Sequence, residues 1–307
     1  MMNSGWLKYI WKAHLANPLW ADSLTRRKIR QKAWADYKMA MFRKFIPFIE
    51  SLQPDTLPLD NNPGDNQTVF TIWMQGENHA PSIVHKCLDS MHRHFKSNLR
   101  ILNSENISEY ILLPEFIHKK RKENKIGDAH FTDICRMELL HRYGGYWLDA
   151  TCFVTGEIPK LIKESDFFMY ISSDRFYTHM FVQNCFIRSK KNDPLLNMWL
   201  KAVYHYWEIE DKPLDYYIVQ NLFRLLVSYN SYAADLFQRM PKLEMDPTHV
   251  LWHSIGNMPF ERSRYDQMKK EAFFQKCSYK KQKKNRGVND ILPGSFADFI
   301  INGKTEE

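Results

Sequence analysis

Between residues 69 and 190, short apolar runs alternate with amphipathic helical stretches, and no other feature of the chain narrows the fold as far. TVFTIWMQ (68–75) reads as a strand ending at Gly76, and PSIVHKCLDSMHRHF (81–95) as a helix with Pro81 in its first turn. LRILN (99–103) is a second strand. ISEYILL (107–113) starts a helix before Pro114, and KKRKENK (119–125) is a solvated charge run. HFTDICRMELLHRY (130–143) is a helix stopped by Gly144-Gly145. YWLDA (146–150), FFMYIS (167–172) and VQNCFIR (182–188) follow as strands. Strands separated by helices of about 10–15 residues predict an α/β fold, a Rossmann-like and mostly parallel sheet flanked by helices.

The two ends differ from this middle. From about residue 193 the pattern is helical: DPLLNMWLKAVYHYWE (193–208) offers Asp193 as N-cap and Pro194 at the first helical position. PLDYYIVQNLFRLLVSY (213–229) is a second such helix, its aromatics suited to a core. Near the N-terminus, Ile29, Ala33, Trp34, Tyr37, Met41 and Phe45 form one apolar stripe at helical spacing, stopped by Pro47. Such a helix suits a bilayer interface or the face of the domain behind it. Residues 53–68, with Pro54, Pro58, Pro63 and Gly64, read as a linker. The expected division is a basic helical N-terminal segment (1–52), a central domain (69–260) and a basic C-terminal tail (261–307).

Composition removes several classes of protein. The chain holds 20 Phe, 15 Tyr and 9 Trp among 307 residues, far too many aromatics for a disordered chain. No window approaches 18 uninterrupted apolar residues, and the N-terminus lacks the h-region of a secretory signal. Five cysteines, odd in number and never paired as C-x-x-C, suit reduced buried thiols in a cytoplasm better than a disulfide framework or a zinc site. Residues 1–50 and residues 261–286 each carry ten Lys/Arg against three Asp/Glu, whereas the other 231 residues hold 23 basic and 29 acidic groups. Basic ends on an acidic middle do not make a groove for nucleic acid. They suit an anionic membrane surface, or simply two solvated helix faces.

The chemistry concentrates in HFTDICRMELLHRYGGYWLDATCF (130–153). The chain has no Walker A loop, G-x-G-x-x-G, H-E-x-x-H or G-x-S-x-G, which disfavours P-loop hydrolysis, zincin proteolysis and serine hydrolase chemistry. Asp133 and Arg136 share a helix face. The helix breaks at Gly144-Gly145, and the next strand ends at Asp149. In an open α/β sheet the ligand crevice lies beyond the carboxyl ends of the strands, which puts Asp149 at its mouth. Its carboxylate is a hard donor suited to Mg²⁺ or Mn²⁺ on a diphosphate, and the glycines allow backbone to approach a ligand closely. Equally, Asp133–Arg136 reads as a surface ion pair and Gly-Gly as a tight turn.

Taken together, these residues resemble the sugar transferases that carry a DXD motif, and in particular the capsular polysaccharide synthesis proteins. The shared order is Asp133-x-x-Arg136, then Tyr143-Gly144-Gly145, then Trp147-Leu148-Asp149. Ile72-Trp73-Met74-Gln75-Gly76, the helix with Pro81, Cys87 and Ser90, Gln183-Asn184, and Asp215-Tyr216-Tyr217 are also similar to family blocks. The resemblance covers roughly residues 69–230.

It implies a GT-A type fold with helical extensions at both ends, a nucleotide-diphospho-sugar donor (UDP-sugar favoured) and a divalent metal, Mn²⁺ or Mg²⁺. Asp133 and Arg136 would hold the sugar and ribose, and Trp73 and Gln75 would lie near the base. Tyr143, Gly144, Gly145 and Asn184 complete the donor set. Asp149, Arg136 and Asp215 are the catalytic candidates, with Asp215 the first residue to test as a base. Asp149 would begin the metal site, but the motif here is Asp-Ala-Thr. Thr151 is a weaker ligand than a carboxylate, so metal binding is expected to be weak, absent, or completed by His253 or His249. The implied acceptor is a growing glycan or lipid-linked oligosaccharide of a bacterial surface polysaccharide, capsule or O-antigen. Transfer would be retaining, by a cytoplasmic enzyme peripheral to the inner face of the plasma membrane. A catalytically inactive GT-A relative that binds membrane or glycan is the alternative.

Overall fold

A computed structural model of the chain describes residues 39–55, 67–172, 181–280, 288 and 290–302, with positions 29, 32, 33, 36 and 37. Five strands form the central sheet in the order β2-β1-β3-β6-β5. They are β1 (Val69–Ile72), β2 (Leu99–Leu102), β3 (Gly145–Leu148), β5 (Phe167–Ile171) and β6 (Val182–Ser189). β1 pairs in parallel with β2 and β3, while β6 runs antiparallel to both β3 and β5. Four of the five strands therefore point the same way, giving the mostly parallel sheet that the alternation predicts. A second, two-stranded sheet joins β4 (Cys152–Val154) to β7 (Phe274–Lys276).

Helices cover both faces. In chain order they are α1 (Ile46–Ser51), α2 (Ser82–Phe95), α3 (Ile107–Tyr110), α4 (Glu115–Lys122), α5 (Asp128–Tyr143) and α6 (Lys160–Lys163), then α7 (Pro194–Ile209), α8 (Ile218–Tyr229), α9 (Ser231–Arg239), α10 (Arg262–Glu271) and α11 (Phe296–Ile301). Because side chains alternate across a strand, the sheet feeds two cores. Phe70, Ile72, Trp147, Phe167, Met169 and Ile187 join α5, α7 and α8 on one face. Val69, Tyr146, Leu148, Phe168, Tyr170 and Phe186 join α2, β4 and β7 on the other. A sheet buried on both faces explains why its strands read as nearly continuous apolar runs.

The described parts of both end segments are folded into these cores. Phe42, Phe45, Ile49 and Leu52 are buried with α7 and α8, so the described end of the N-terminal apolar stripe packs on the domain. Trp34 lies outside the described residues. The stretch expected as a tail contributes β7 and α11, with Phe273, Phe274, Phe296, Ala297 and Ile300 buried. Its lysines surround an apolar strand, and apolar burial outweighs the charge count. α8 starts five residues later than its apolar pattern suggests. The Asp215 carboxylate accepts from the Tyr217 backbone N–H at 2.8 Å and holds the chain in a turn just before the helix. α7 begins as read, with Pro194 in its first turn and the Asp193 carboxylate accepting from Leu196 N at 2.9 Å. All five cysteines are free and buried.

The turn between α5 and β3 sets the register of the sheet. Gly145 has φ +97°, and a Cβ there would lie 2.3 Å from the Thr68 carbonyl oxygen. That carbonyl accepts from Tyr146 N at 2.8 Å and seats β3 beside β1. Gly145→Ala is therefore expected to lower stability by about 2–4 kcal/mol. Chemical denaturation checks it, and a loss below 0.5 kcal/mol (on the order of a surface substitution) would show that the turn can yield.

Candidate active site

Asp149 lies one residue past the end of β3, where the chain turns toward β4; its N–H donates to the Cys185 carbonyl at 2.8 Å and its own carbonyl accepts from Cys152 N at 2.8 Å. Three donors from three parts of the chain converge on its carboxylate. Trp147 Nε1 donates to Oδ1 at 2.9 Å, Arg136 Nη2 reaches the same oxygen at 3.3 Å, and Lys276 Nζ donates to Oδ2 at 2.7 Å. The Lys276 ammonium also donates to the Thr151 hydroxyl.

Arg136 is the second centre. Its Nη2 lies 3.0 Å from Asp133 Oδ1, its Nη1 donates to the Asn184 carbonyl at 2.6 Å, and its guanidinium lies 4.7 Å from the Trp147 ring centroid. Asn184 Nδ2 donates to Asp133 Oδ1 at 3.0 Å, and Gln220 Nε2 to Asn184 Oδ1 at 2.9 Å. α5 supplies Asp133 and Arg136 one turn apart, β6 supplies Asn184 and α8 supplies Gln220. Of the two readings of this pair, a surface contact is ruled out: it is buried, and its ionic form is supported by Asn184, Asp149 and the Asp133–Arg136 contact itself.

The two carboxylates differ. Burial pushes the Asp133 carboxyl above the usual range in spite of Arg136. Burial acts the same way on Asp149, but the Lys276 and Arg136 charges outweigh it and hold that carboxyl below the usual range. Burial would lower the Lys276 ammonium, yet Asp149 holds it above the ordinary lysine range, so it stays charged.

Asp133, Arg136, Trp147, Asp149, Thr151 and Asn184 border a cleft of about 500 Å³ at the carboxyl ends of β1 and β3, within the range of small-molecule sites, and Lys276 lies outside its lining, joined to it through Asp149 and Thr151. Trp73, Gln75, Asp133, Arg136, Asp149, Thr151 and Asn184 line it, as expected from the sequence. So do Tyr216, named from the sequence as part of the Asp215-Tyr216-Tyr217 block, and His130, Gln220, Tyr279 and Lys280, which the sequence did not single out. Tyr279 meets Trp73 edge-on, with ring centroids 5.3 Å apart. Arg136 Nε and Trp73 Nε1 are buried N–H donors with no acceptor in the protein.

Other expected site residues lie elsewhere. Tyr143, Gly144 and Gly145 sit at the opposite end of β3 from Asp149 and do not line the cleft. Tyr143 donates its hydroxyl proton to the Tyr110 carbonyl at 2.8 Å, and the glycines make the turn described above. Their work is to place β3. Asp215 is engaged by Tyr217 N and, at 3.3 Å, by Asn221 Nδ2, beside the cleft but outside its lining. His249 and His253 stack with centroids 5.6 Å apart, also outside the lining. Burial, then the His253 charge, pushes His249 down to about 3, and burial, then the Lys276 charge, lowers His253.

The donor set does not fit a divalent cation. Both Asp149 oxygens are engaged, the Thr151 hydroxyl is engaged, and a lysine ammonium already bridges the two residues. Among the described residues no three His, Cys, Asp or Glu side chains gather to hold a metal. Lys276 was missed because it falls within the stretch 261–286, read as a whole as a basic tail. The signal was its place in Phe273-Phe274-Gln275-Lys276-Cys277, a lone charge in an apolar strand.

A buried cation–carboxylate cluster beside an aromatic wall, at the carboxyl ends of parallel strands, is where an open α/β sheet holds its ligand crevice. The chain belongs to the capsular polysaccharide synthesis protein family, whose sequence model matches residues 22–292. No curated protein matches the chain. A solved structure entitled PaToxG glycosyltransferase is similar at 18% identity over 69% of this chain and 85% of its own, with a TM-score of 0.37, too slight a likeness to carry an argument.

Removing the charge of Asp149 would leave Lys276 and Arg136 without their shared partner. Asp149→Asn is expected to cost about 3 kcal/mol at pH 7. Because the folded-state carboxyl is held low, this stabilisation is complete above the ordinary carboxylate value of about 3.9 and is lost as pH falls through the folded one. Denaturation from pH 7 to 3 should show the gap between wild type and variant closing on acidification. A gap that is absent at pH 7, or constant with pH, would mean the pair does not stabilise the fold.

Proposed function

We propose that the chain moves a sugar from a nucleotide-diphospho-sugar, UDP-sugar favoured, onto a lipid-linked bacterial surface polysaccharide such as capsule or O-antigen, with retention. The observation that carries this reading is the placement of Arg136 between Asp133 and Asp149 in the cleft, with Trp73 and Tyr279 at its wall. The aromatic pair suits a base, and Asp133 with Asn184 and Gln220 suits sugar hydroxyls.

In the transfer, the bond from the anomeric carbon to the diphosphate oxygen breaks and its electron pair leaves with that oxygen. The acceptor hydroxyl oxygen bonds the anomeric carbon, and its proton passes to the departing phosphate. Cations held in place offset the charge gathering on the phosphate, the kind of electrostatic support that is often the largest catalytic contribution. An inverting reaction needs a carboxylate base at the acceptor. The carboxylates lining the cleft are Asp128, paired with Arg121 at 2.8 Å, and Asp133 and Asp149, both paired with Arg136. Among the described residues, the two buried carboxylates of the cleft are thus held by cations, which favours proton transfer to the leaving group, and hence retention.

The acceptor and its setting rest on family membership and charge. Ten Lys/Arg in residues 1–50 and ten in 261–286 suit an anionic bilayer surface, and no helix of the described residues is long and apolar enough to cross a membrane. An enzyme of this kind would work at the inner face of the plasma membrane as a peripheral protein.

A panel of UDP-, GDP- and CMP-sugars tests the reading, with free nucleotide as the readout. One diphosphate donor should be slowly hydrolysed by the wild type, and Arg136→Lys, which keeps the charge but not the planar fork, should lower the rate by roughly 10²-fold. Equal rates in wild type and variant, or neither release nor nucleotide binding, would refute it.

A further inference from the structure

The second sheet places a cation where the Asp-Ala-Thr motif would otherwise need a metal. β4 follows the motif directly, and β7 pairs with it so that Lys276 lies opposite Cys152; Cys277 N donates to the Thr151 carbonyl at 2.8 Å and closes the register. This brings the Lys276 ammonium between the Asp149 carboxylate and the Thr151 hydroxyl, the first and third positions of the triplet. In a DXD site, carboxylates at both positions suit a divalent cation. Here the third is a hydroxyl, and the space between the two belongs to an ammonium.

We propose that Lys276 is the fixed cation of this site, that with Arg136 it binds the donor diphosphate, and that donor binding needs no divalent metal. The inference rests on the reading of the cleft as a nucleotide-sugar site. Lys276 is not part of the cleft lining but bonds two residues that are, Asp149 and Thr151; these take two of the three donors of its ammonium, and the side chain is 22% exposed, so the third donor can turn to a phosphate oxygen seated against them. Lys276 and Arg136 together carry two positive charges, as many as one divalent cation. Lys280 at the cleft wall adds a third, against the carboxylates of Asp133 and Asp149 and of Asp128, the last of which is paired with Arg121. A lysine on a strand is also in place before the donor arrives, whereas a metal must be recruited with it. The change at the third position then has a physical reason, since a second carboxylate facing Lys276 would neutralise the charge that the phosphate needs.

Calorimetric titration of the full chain with UDP, GDP and inorganic pyrophosphate, in chelator and in Mn²⁺, tests this. At least one nucleoside diphosphate, and pyrophosphate more weakly, should bind in chelator, with affinity changing less than about twofold on adding Mn²⁺. Lys276→Ala should weaken binding by roughly tenfold or more, and Lys276→Arg should stay within about threefold of wild type. Circular dichroism and thermal melting show whether the alanine variant is folded, and the chelator arm on wild type holds whatever that variant does. Binding seen only with Mn²⁺ would overturn the role of Lys276 and leave the transferase reading standing. Binding in neither condition would overturn both.

Discussion

The Asp149 carboxylate ties together parts of the chain far apart in sequence: Trp147 on its own strand, Arg136 on the preceding helix and Lys276 on β7, 127 residues further on. Taking a carboxylate, a guanidinium and an ammonium out of water costs several kcal/mol for each ion, so the arrangement persists only because the partners come with it. Arg136 has the same dependence on Asp133 and on the Asn184 carbonyl. The price is rigidity: none of these groups can move to greet a substrate without stranding another. A site whose charges are already in place needs little reorganisation when charge develops on a leaving phosphate.

The rest of the fold serves that placement. A sheet buried on both faces keeps β1 and β3 from shifting against one another, and Gly145 lets them approach closely at the end far from the site. α5 stands with Asp133 and Arg136 facing the end of β3. The small β4–β7 sheet then turns a segment near the C-terminus into a structural neighbour of the motif. Gln275 helps to hold it, accepting from Leu251 N at 3.0 Å and donating to the Pro247 carbonyl at 2.7 Å.

Much of this was legible in the sequence. Local period and end signals marked β1, α2, β2, α5, β3 and α7 because each element buries a face that its own residues define, and Asp193-Pro194 or Gly144-Gly145 punctuate it. Asp133, Arg136, Asp149 and Asn184 could be named together because they stand in or near short, ordered blocks. Lys276 could not: its place as a lone charge in a short apolar run marks it as unusual, but only the pairing of β7 with β4 assigns it a partner. The same limit applies to Gln220, one polar residue on an apolar helix. Gly144-Gly145 left two readings open, ligand approach or tight turn, and the structure takes the second: the backbone that Gly145 admits is Thr68. The Asp215 carboxylate, read as a base to test, spends its oxygen on its own turn.

A crystal structure of the full chain grown with a bound nucleoside diphosphate and Mn²⁺ tests the central claim most directly. Anomalous scattering locates manganese independently of any assumption about its ligands. The account predicts no manganese peak between Asp149 and Thr151, with Lys276 Nζ in hydrogen-bond reach of a diphosphate oxygen. A strong peak there, with the lysine displaced from Asp149, would contradict it.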